Sequence, residues 1–237
     1  MKCSVERLIE TLIGVELAQE RKASEDRAAR ERQASYVVTI SRGFGSLGRE
    51  VGQALAARLG VNLCDRIILQ EVAKRAHIDL ELVKKLDENI KMSKARPWTT
   101  FFNDKSYPKE RYLHHLVKVI LNISSKGGVI LGRGGHLILG PEKAFRIRIV
   151  GTPATCAARV AKREDIDLDA AMKRVKTVNH ERAKYLKKLY GERINDCSDY
   201  DLVMNSDRFD ISQMVRLILD AMQLAGYDIP EKLLHTA

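Results

Sequence analysis

A chain of 237 residues with 41 Lys/Arg against 31 Asp/Glu, a formal net charge of +10 and only 5% aromatic residues is long enough to bury one α/β core, and its charge favours polyanionic partners. No stretch approaches the roughly 20 apolar residues of a spanning helix, so no membrane is expected among its partners. The apolar N-terminal run LIETLIGVELA is broken by Glu10 and Glu16 and lacks the flanks of a secretion signal, so the expected location is cytoplasmic; Cys3, Cys64, Cys156 and Cys197 lie far apart and suggest neither a zinc site nor a disulfide framework.

In chain order, Val5, Leu8, Ile9, Leu12 and Ile13 recur at helical spacing and lead into the charged segment ERKASEDRAARERQ. Residues 1–34 are therefore expected to be a helical extension that packs on the body, on a second copy in a homodimer or on a partner protein. Residues 20–34 also read as a mobile charged arm. Residues 35–237 are expected to be one domain.

That domain opens with YVVTIS (36–41), a β-branched run suited to a strand buried on both faces. The glycine-rich SRGFGSLGRE (41–50) follows, and Val51, Leu55 and Leu59, four apart, then predict a helix with Gly60 as its C-cap. VNLCD (61–65) is a second short strand. Residues 66–90 read as one or two helices with Asp79 as an N-cap, 91–110 as a loop with two prolines and the single tryptophan, and 109–125 as helix again. GGVILGRGGHLIL gives a third strand ending near Gly132, AFRIRIVG a fourth, and Pro153 opens the next helix where its missing N–H is harmless. A long basic helix (about 167–190), a fifth strand in DLVMNS and a closing helix in DISQMVRLILDAM complete the pattern. Strands alternating with helices predict an α/β fold with a parallel sheet of about five strands covered on both faces.

Two features carry chemistry. The loop at 43–50 joins a buried strand to a helix, so the helix's unpaired N–H groups and its dipole face the carboxyl end of the sheet, where ligands of such sheets bind. Gly43, Gly45 and Gly48 let Phe44, Ser46 and Leu47 curl around an anion, although a plain tight turn uses the same residues. Gly43-x4-Gly48 fits the first half of GxxxxGK[ST], but Arg49 and Glu50 stand where Lys and Ser/Thr belong. Arg49 can supply charge without the compact shape of an ammonium. A carboxylate about 4 Å from a phosphate is repelled by roughly 4 kcal/mol at a dielectric of 20, so Glu50 either binds a metal, pairs with Arg42 or Arg49, or points away. The second feature is basic: residues 143–193 hold 14 Lys/Arg against 6 Asp/Glu, which is either a solvated face or a phosphate-binding surface.

Taken in order, the loop, the CDR after the second strand, VILGRGG, the helix with NHERAKY, and YDLVMNS make residues 36–222 resemble the cytidylate kinase-like family, a divergent relative of bacterial cytidylate kinases with the P-loop NTPase fold. The resemblance implies ATP and Mg2+ as cofactors and nucleotides as substrates. It places donor phosphates at 43–50 and the acceptor beyond Asp65; the loop's own chemistry offers Arg49 as the catalytic charge and Glu50 as a metal ligand. Arg133 in GRGG matches the arginine of a Gly-Arg-Asp motif on the acceptor side, while Gly134 replaces that motif's aspartate. Arg159 and Arg163, with Arg174 and Arg182 on the next helix, form a lid closing on the phosphates, or else a solvated face. Asp65 either orients the acceptor or a hydrated magnesium ion, or caps the following helix.

Three functions are compatible with these residues. They are ATP-dependent transfer to a nucleoside monophosphate or a related small phosphorylated acceptor, a non-catalytic nucleotide-binding regulator, and nucleic-acid binding. The missing loop lysine favours the regulator and the arginine set favours the kinase. Without interleaved aromatic and basic residues or an RNA motif, a nucleic-acid partner is not expected.

Overall fold

The computed structural model describes residues 36–65, 68, 109–191 and 196–234, together with Ile13. The helices expected over 5–33 and 66–90 and nearly all of the expected loop over 91–110 lie outside the described residues. Ile13 packs against the core cluster that contains Leu113, Leu116 and Ile120.

Five strands form one parallel sheet: β1 (Val37–Arg42), β2 (Leu63–Cys64), β3 (Gly128–Leu131), β4 (Phe145–Val150) and β5 (Leu202–Asn205), in the order β2-β3-β1-β4-β5. β1 lies in the middle, with Val38 opposite Val129 of β3 and Phe145 of β4. The alternation of side chains along each strand sorts the core into two halves. Val37 and Ile130 point to one face, where α2 (Lys109–Ser124), α3 (Gly135–Lys143) and the last turns of α5 (Leu168–Tyr190) cover them with Leu116, Ile138 and Leu189. Val38, Ile40, Val129, Leu131 and Ile147 point to the other, under α1 (Gly48–Leu59), α6 (Ile211–Leu224) and the short α7 (Glu231–Leu234). Burial on both sides is why β1 and β3 read as near-continuous apolar runs rather than alternating ones.

Helix ends follow local chemistry. Gly60 adopts φ 67° and closes α1; Thr152 caps α4 (Pro153–Glu164), with Pro153 in its first turn; Asp167 caps α5; Asp210 and Gln213 form a reciprocal capping box on α6. One helix was not expected. The third strand, expected to end near Gly132, ends at Leu131, and HLIL beyond it, to which the sequence assigned no helix, lies in α3, which starts after Gly134 at φ 70°. The helix is short and kinked at Gly140 before Pro141, so its apolar residues never complete a helical period. α7 and the 3-10 turn Cys197–Asp199 were likewise not expected.

Because β1 is flanked by neighbours whose connections depart in opposite directions, the loop after Arg42 opens at the switch point of the sheet. Among the described residues no helix is long and apolar enough to cross a membrane.

Ile147, fully buried on β4, and Val203, 41% exposed on edge strand β5, test this layout. Ile147→Ala is expected to lower the unfolding free energy by about 2–5 kcal/mol, and Val203→Ala to change it by about 0.5 kcal/mol, in equilibrium urea denaturation.

Candidate functional site

The loop is fastened from three sides. Gly43 N–H donates to Ile149 O at 3.0 Å, and the buried hydroxyl of Ser46 lies 3.0 Å from Gly43 O and 3.1 Å from Ile149 O, tying the turn to the end of β4. Gly45, at φ 82°, sits so close to α4 that a Cβ would come within 2.6 Å of Cys156 O. Phe44 N–H donates to Asn179 Oδ1 of α5 at 2.8 Å, and the Phe44 ring packs into the small cluster of Cys156, Val160, Ala171 and Val175 that joins α4 to α5. Leu47, at φ 61°, precedes α1 without a side-chain cap, so the first N–H groups of that helix point uncapped toward the mouth of the sheet.

Around this turn stand the arginines that the sequence singled out. The Arg163 and Arg182 guanidinium groups lie 5.1 and 5.7 Å from the Phe44 ring centroid, within the range of cation–π attraction. Arg182 also donates to Arg42 O at 3.0 Å. Arg159 donates to Ser206 Oγ at 2.9 Å, to Ser206 O at 2.7 Å and to Gly45 O at 3.4 Å, which pins α4 to the end of β5 and to the loop. Glu164 accepts from Arg163 at 2.9 Å and pairs with Arg174 at 2.6 Å. Arg49, nearly half exposed, pairs across the mouth with Asp65 at 3.8 Å. Of the alternatives open for Glu50, pairing with Arg49 is therefore not the one realised. Glu50 is half-buried, lines the cavity and makes no hydrogen bond or ion pair with another described residue.

The other wall is the turn Gly132–Gly135 after β3. Arg133 adopts φ 59°, a left-handed conformation that a side chain rarely takes, and its carbonyl accepts from Tyr190 Oη at 2.8 Å. The Tyr190 ring explains why glycine follows. A Cβ at Gly134 would overlap the ring edge and lie 2.6 Å from Cζ. The position where the related motif carries aspartate is thus closed by an aromatic ring from α5. Tyr185, buried and hydrogen-bonded to Tyr112 at 3.3 Å, lines the cavity beside it.

Behind this wall His136 is buried, stacked on Tyr200 with ring centroids 4.7 Å apart and hydrogen-bonded to Tyr200 Oη at 3.2 Å. Burial, reinforced by the nearby Arg148 and Arg146, pushes its pKa down to about 4. The ring is neutral near pH 7. Arg148 lies 5.6 Å from the Tyr200 ring and donates to Ser41 Oγ at 3.2 Å, linking this pair back to β1.

The loop, the arginines and the turn after β3 enclose one cavity of about 730 Å3. Its lining includes Gly43 to Glu50, Asp65, Arg133, Arg159, Arg163, Arg174 and Arg182, so every residue singled out in the sequence reaches it. The sequence did not single out Asn179, His136, Lys162 or Tyr185. Asn179 sits in the NHERAKY segment, but its tie to Phe44 spans 135 residues and leaves no local signature. Among the described residues no group of three or more His, Cys, Asp or Glu side chains is placed to hold a metal.

A central parallel strand feeding a glycine turn into a helix, in this strand order, defines a P-loop nucleotide-binding fold. The chain belongs to the cytidylate kinase-like family, whose model matches residues 37–208. That match ends before α6, short of the residue 222 suggested by the motifs. The chain is similar to the cytidylate kinase of Methanopyrus kandleri, with 29% identity over 74% of this chain and 86% of that one. It is similar also to the cytidylate kinase of Methanocaldococcus jannaschii, with 24% identity over 78% of this chain and 97% of that one. Among solved structures, an uncharacterized protein from Eubacterium ventriosum shares the fold, with a TM-score of 0.58 and 22% identity over 79% of this chain and 98% of that one.

Two outcomes follow. Gly134→Asp is expected to cost about 1–3 kcal/mol of stability in urea denaturation, since the side chain must displace Tyr190 from a backbone already at positive φ. For His136, the unfolded chain takes up a proton near pH 6.5 while the folded chain resists until about 4, so stability is lost as pH falls through that window. The loss attributable to this ring is expected to reach up to about 3 kcal/mol. His136→Gln should remove that part of the acid sensitivity when urea midpoints at pH 7 and pH 4.5 are compared.

Proposed function

We propose that the protein transfers the terminal phosphoryl group of ATP to a nucleoside monophosphate or a related small phosphorylated acceptor. The observation that carries this reading is the convergence on one cavity of an uncapped helix N-terminus and a ring of arginines drawn from α4, α5 and the turn after β3. Phosphoryl transfer needs positioning and charge neutralisation more than covalent chemistry, and such a cavity supplies both.

In this reading the backbone of residues 43–50 holds the donor phosphates, and Arg163, Arg174 and Arg182 neutralise them from above. Arg159 keeps the loop and α4 in register. Arg133 holds the acceptor phosphate, and Asp65, through its pair with Arg49, sets the spacing between the two sides. An oxygen of the acceptor phosphate forms a bond to the γ-phosphorus of ATP while the bond to the β–γ bridging oxygen breaks, its electron pair leaving with ADP. Magnesium, when bound with the nucleotide, would add to the neutralisation of the phosphate charge. Glu50, which lines the cavity without a described partner, would be its one protein ligand, because Mg2+ takes most of its oxygens from phosphates and water.

With glycine at 134 and Tyr190 closing the space beside it, no carboxylate reads the acceptor base from that position, so the motif does not assign the acceptor to cytidylate. The competing reading, a nucleotide-binding regulator without turnover, is favoured by one observation: Arg49, in the place of the loop lysine, is half exposed and engaged with Asp65.

Purified protein with ATP and Mg2+, screened against all nucleoside monophosphates for ADP formation, separates the two. ADP release that requires a particular acceptor is the expected result, and ATP binding in calorimetry with no release under any acceptor supports the regulator. Arg133→Ala should raise the KM for the acceptor about tenfold or more while leaving that for ATP within about twofold. Equal loss on both sides would remove Arg133 from the acceptor site.

A further inference from the structure

The loop lysine of related kinases is missing here, and Arg49, which stands in its place, pairs with Asp65 across the mouth. The sequence offers Arg42 only as a partner for Glu50. The structure puts Arg42 elsewhere. It is the last residue of the central strand β1, half-buried, and lines the cavity. Its stem lies against the first turn of α1, where a Cβ on Gly48 would come within 2.5 Å of Arg42 Cβ and 2.9 Å of its Cγ. Its guanidinium reaches across to the turn after β3, where a Cβ on Gly132 would overlap Nη1. Glycine at both 48 and 132 therefore leaves the channel through which this side chain runs, from the phosphate loop toward Arg133.

From this placement we infer that Arg42 supplies the charge of the absent loop lysine, gripping the terminal phosphates of the donor nucleotide between the loop and the acceptor side. The inference rests on the phosphoryl-transfer reading and adds a residue to it. During transfer the new bond forms between an acceptor phosphate oxygen and the γ-phosphorus, and the bond to the β–γ bridging oxygen breaks with its electron pair going to ADP. Arg42 neutralises the charge spread over the transferred group and exchanges no proton, as a guanidinium stays protonated at any working pH. The planar fork also accounts for the geometry. An arginine entering from the strand end can meet phosphate oxygens in a bidentate pair, whereas a lysine enters from the helix as a point charge. The same placement changes the reading of Gly48. A side chain there meets Arg42 before it meets a phosphate, so Gly48→Val acts first by displacing Arg42.

The test uses the full chain with Arg42→Met, which keeps a stem in the channel and removes the charge, and Arg42→Lys, which keeps the charge. Inorganic tripolyphosphate is titrated by calorimetry, so that no turnover is needed, and ADP formation is measured in parallel; a retained cooperative thermal transition shows that each variant is folded. Tripolyphosphate affinity should fall tenfold or more in Arg42→Met and recover in large part in Arg42→Lys. Equal affinity in Arg42→Met and the parent, with ADP formation unchanged, would overturn the role of Arg42 and leave the kinase reading standing. Loss of affinity in Arg42→Met in a protein that forms no ADP with any acceptor would keep the anion grip and remove the kinase. Failure of the parent protein to bind tripolyphosphate would overturn both.

Discussion

Gly45 is within van der Waals overlap of α4 for anything larger than hydrogen, and Phe44 beside it is the apolar hook that the α4–α5 pair closes around. The contact fixes where the arginines of both helices stand. Arg163 and Arg182 meet over the Phe44 ring, Arg159 reaches Gly45 O, and Asn179 takes the Phe44 N–H. A loop that served only as a turn would need none of these ties. They make the position of the phosphate loop and the position of the cationic helices a single variable, so a ligand held by one is also held by the other.

The cost of this arrangement is electrostatic. Eight Arg or Lys side chains line the cavity against the three carboxylates of Glu50, Asp65 and Glu164. Two of those carboxylates are already engaged: Glu164 with Arg163 and Arg174, Asp65 with Arg49. Like charges gathered in a partly dry space repel one another, and an anion with several charges relieves that repulsion while gaining from each of them. The uncapped start of α1 adds to the same demand. Charge, helix dipole and glycine geometry thus favour the same ligand class, a polyphosphate.

Much of this was legible in the sequence, and the reasons are physical. All five strands could be read because both faces of the sheet are covered, leaving β-branched runs such as VVTI and VIL between turns. The helix ends at Gly60 and Pro153 could be read because local chemistry decides the conformation there. The site residues could be read in outline because a phosphate loop is itself local. What escaped depends on distant contacts. α3 is too short and too kinked at Gly140 to show a period. Gly134 looked like a lost aspartate, whereas it makes room for Tyr190, 56 positions later in the chain. Arg49 occupies lysine's place in the motif, and its partner, Asp65 at the end of the next strand, could not be read from that place. Position in a motif indicates where the backbone goes, and side-chain partners are settled by the fold.

The central claim is that residues 45–50 and the facing stretch of α5 receive the phosphates of a nucleotide together. Amide hydrogen exchange of the full chain, with and without ATP and Mg2+, tests it most directly, because exchange reports on the loop N–H groups themselves. The account predicts slowed exchange in the segment covering 45–50 and in the segment covering 179–186. Unchanged exchange in both segments at saturating ATP, with protection elsewhere in the chain, would contradict it.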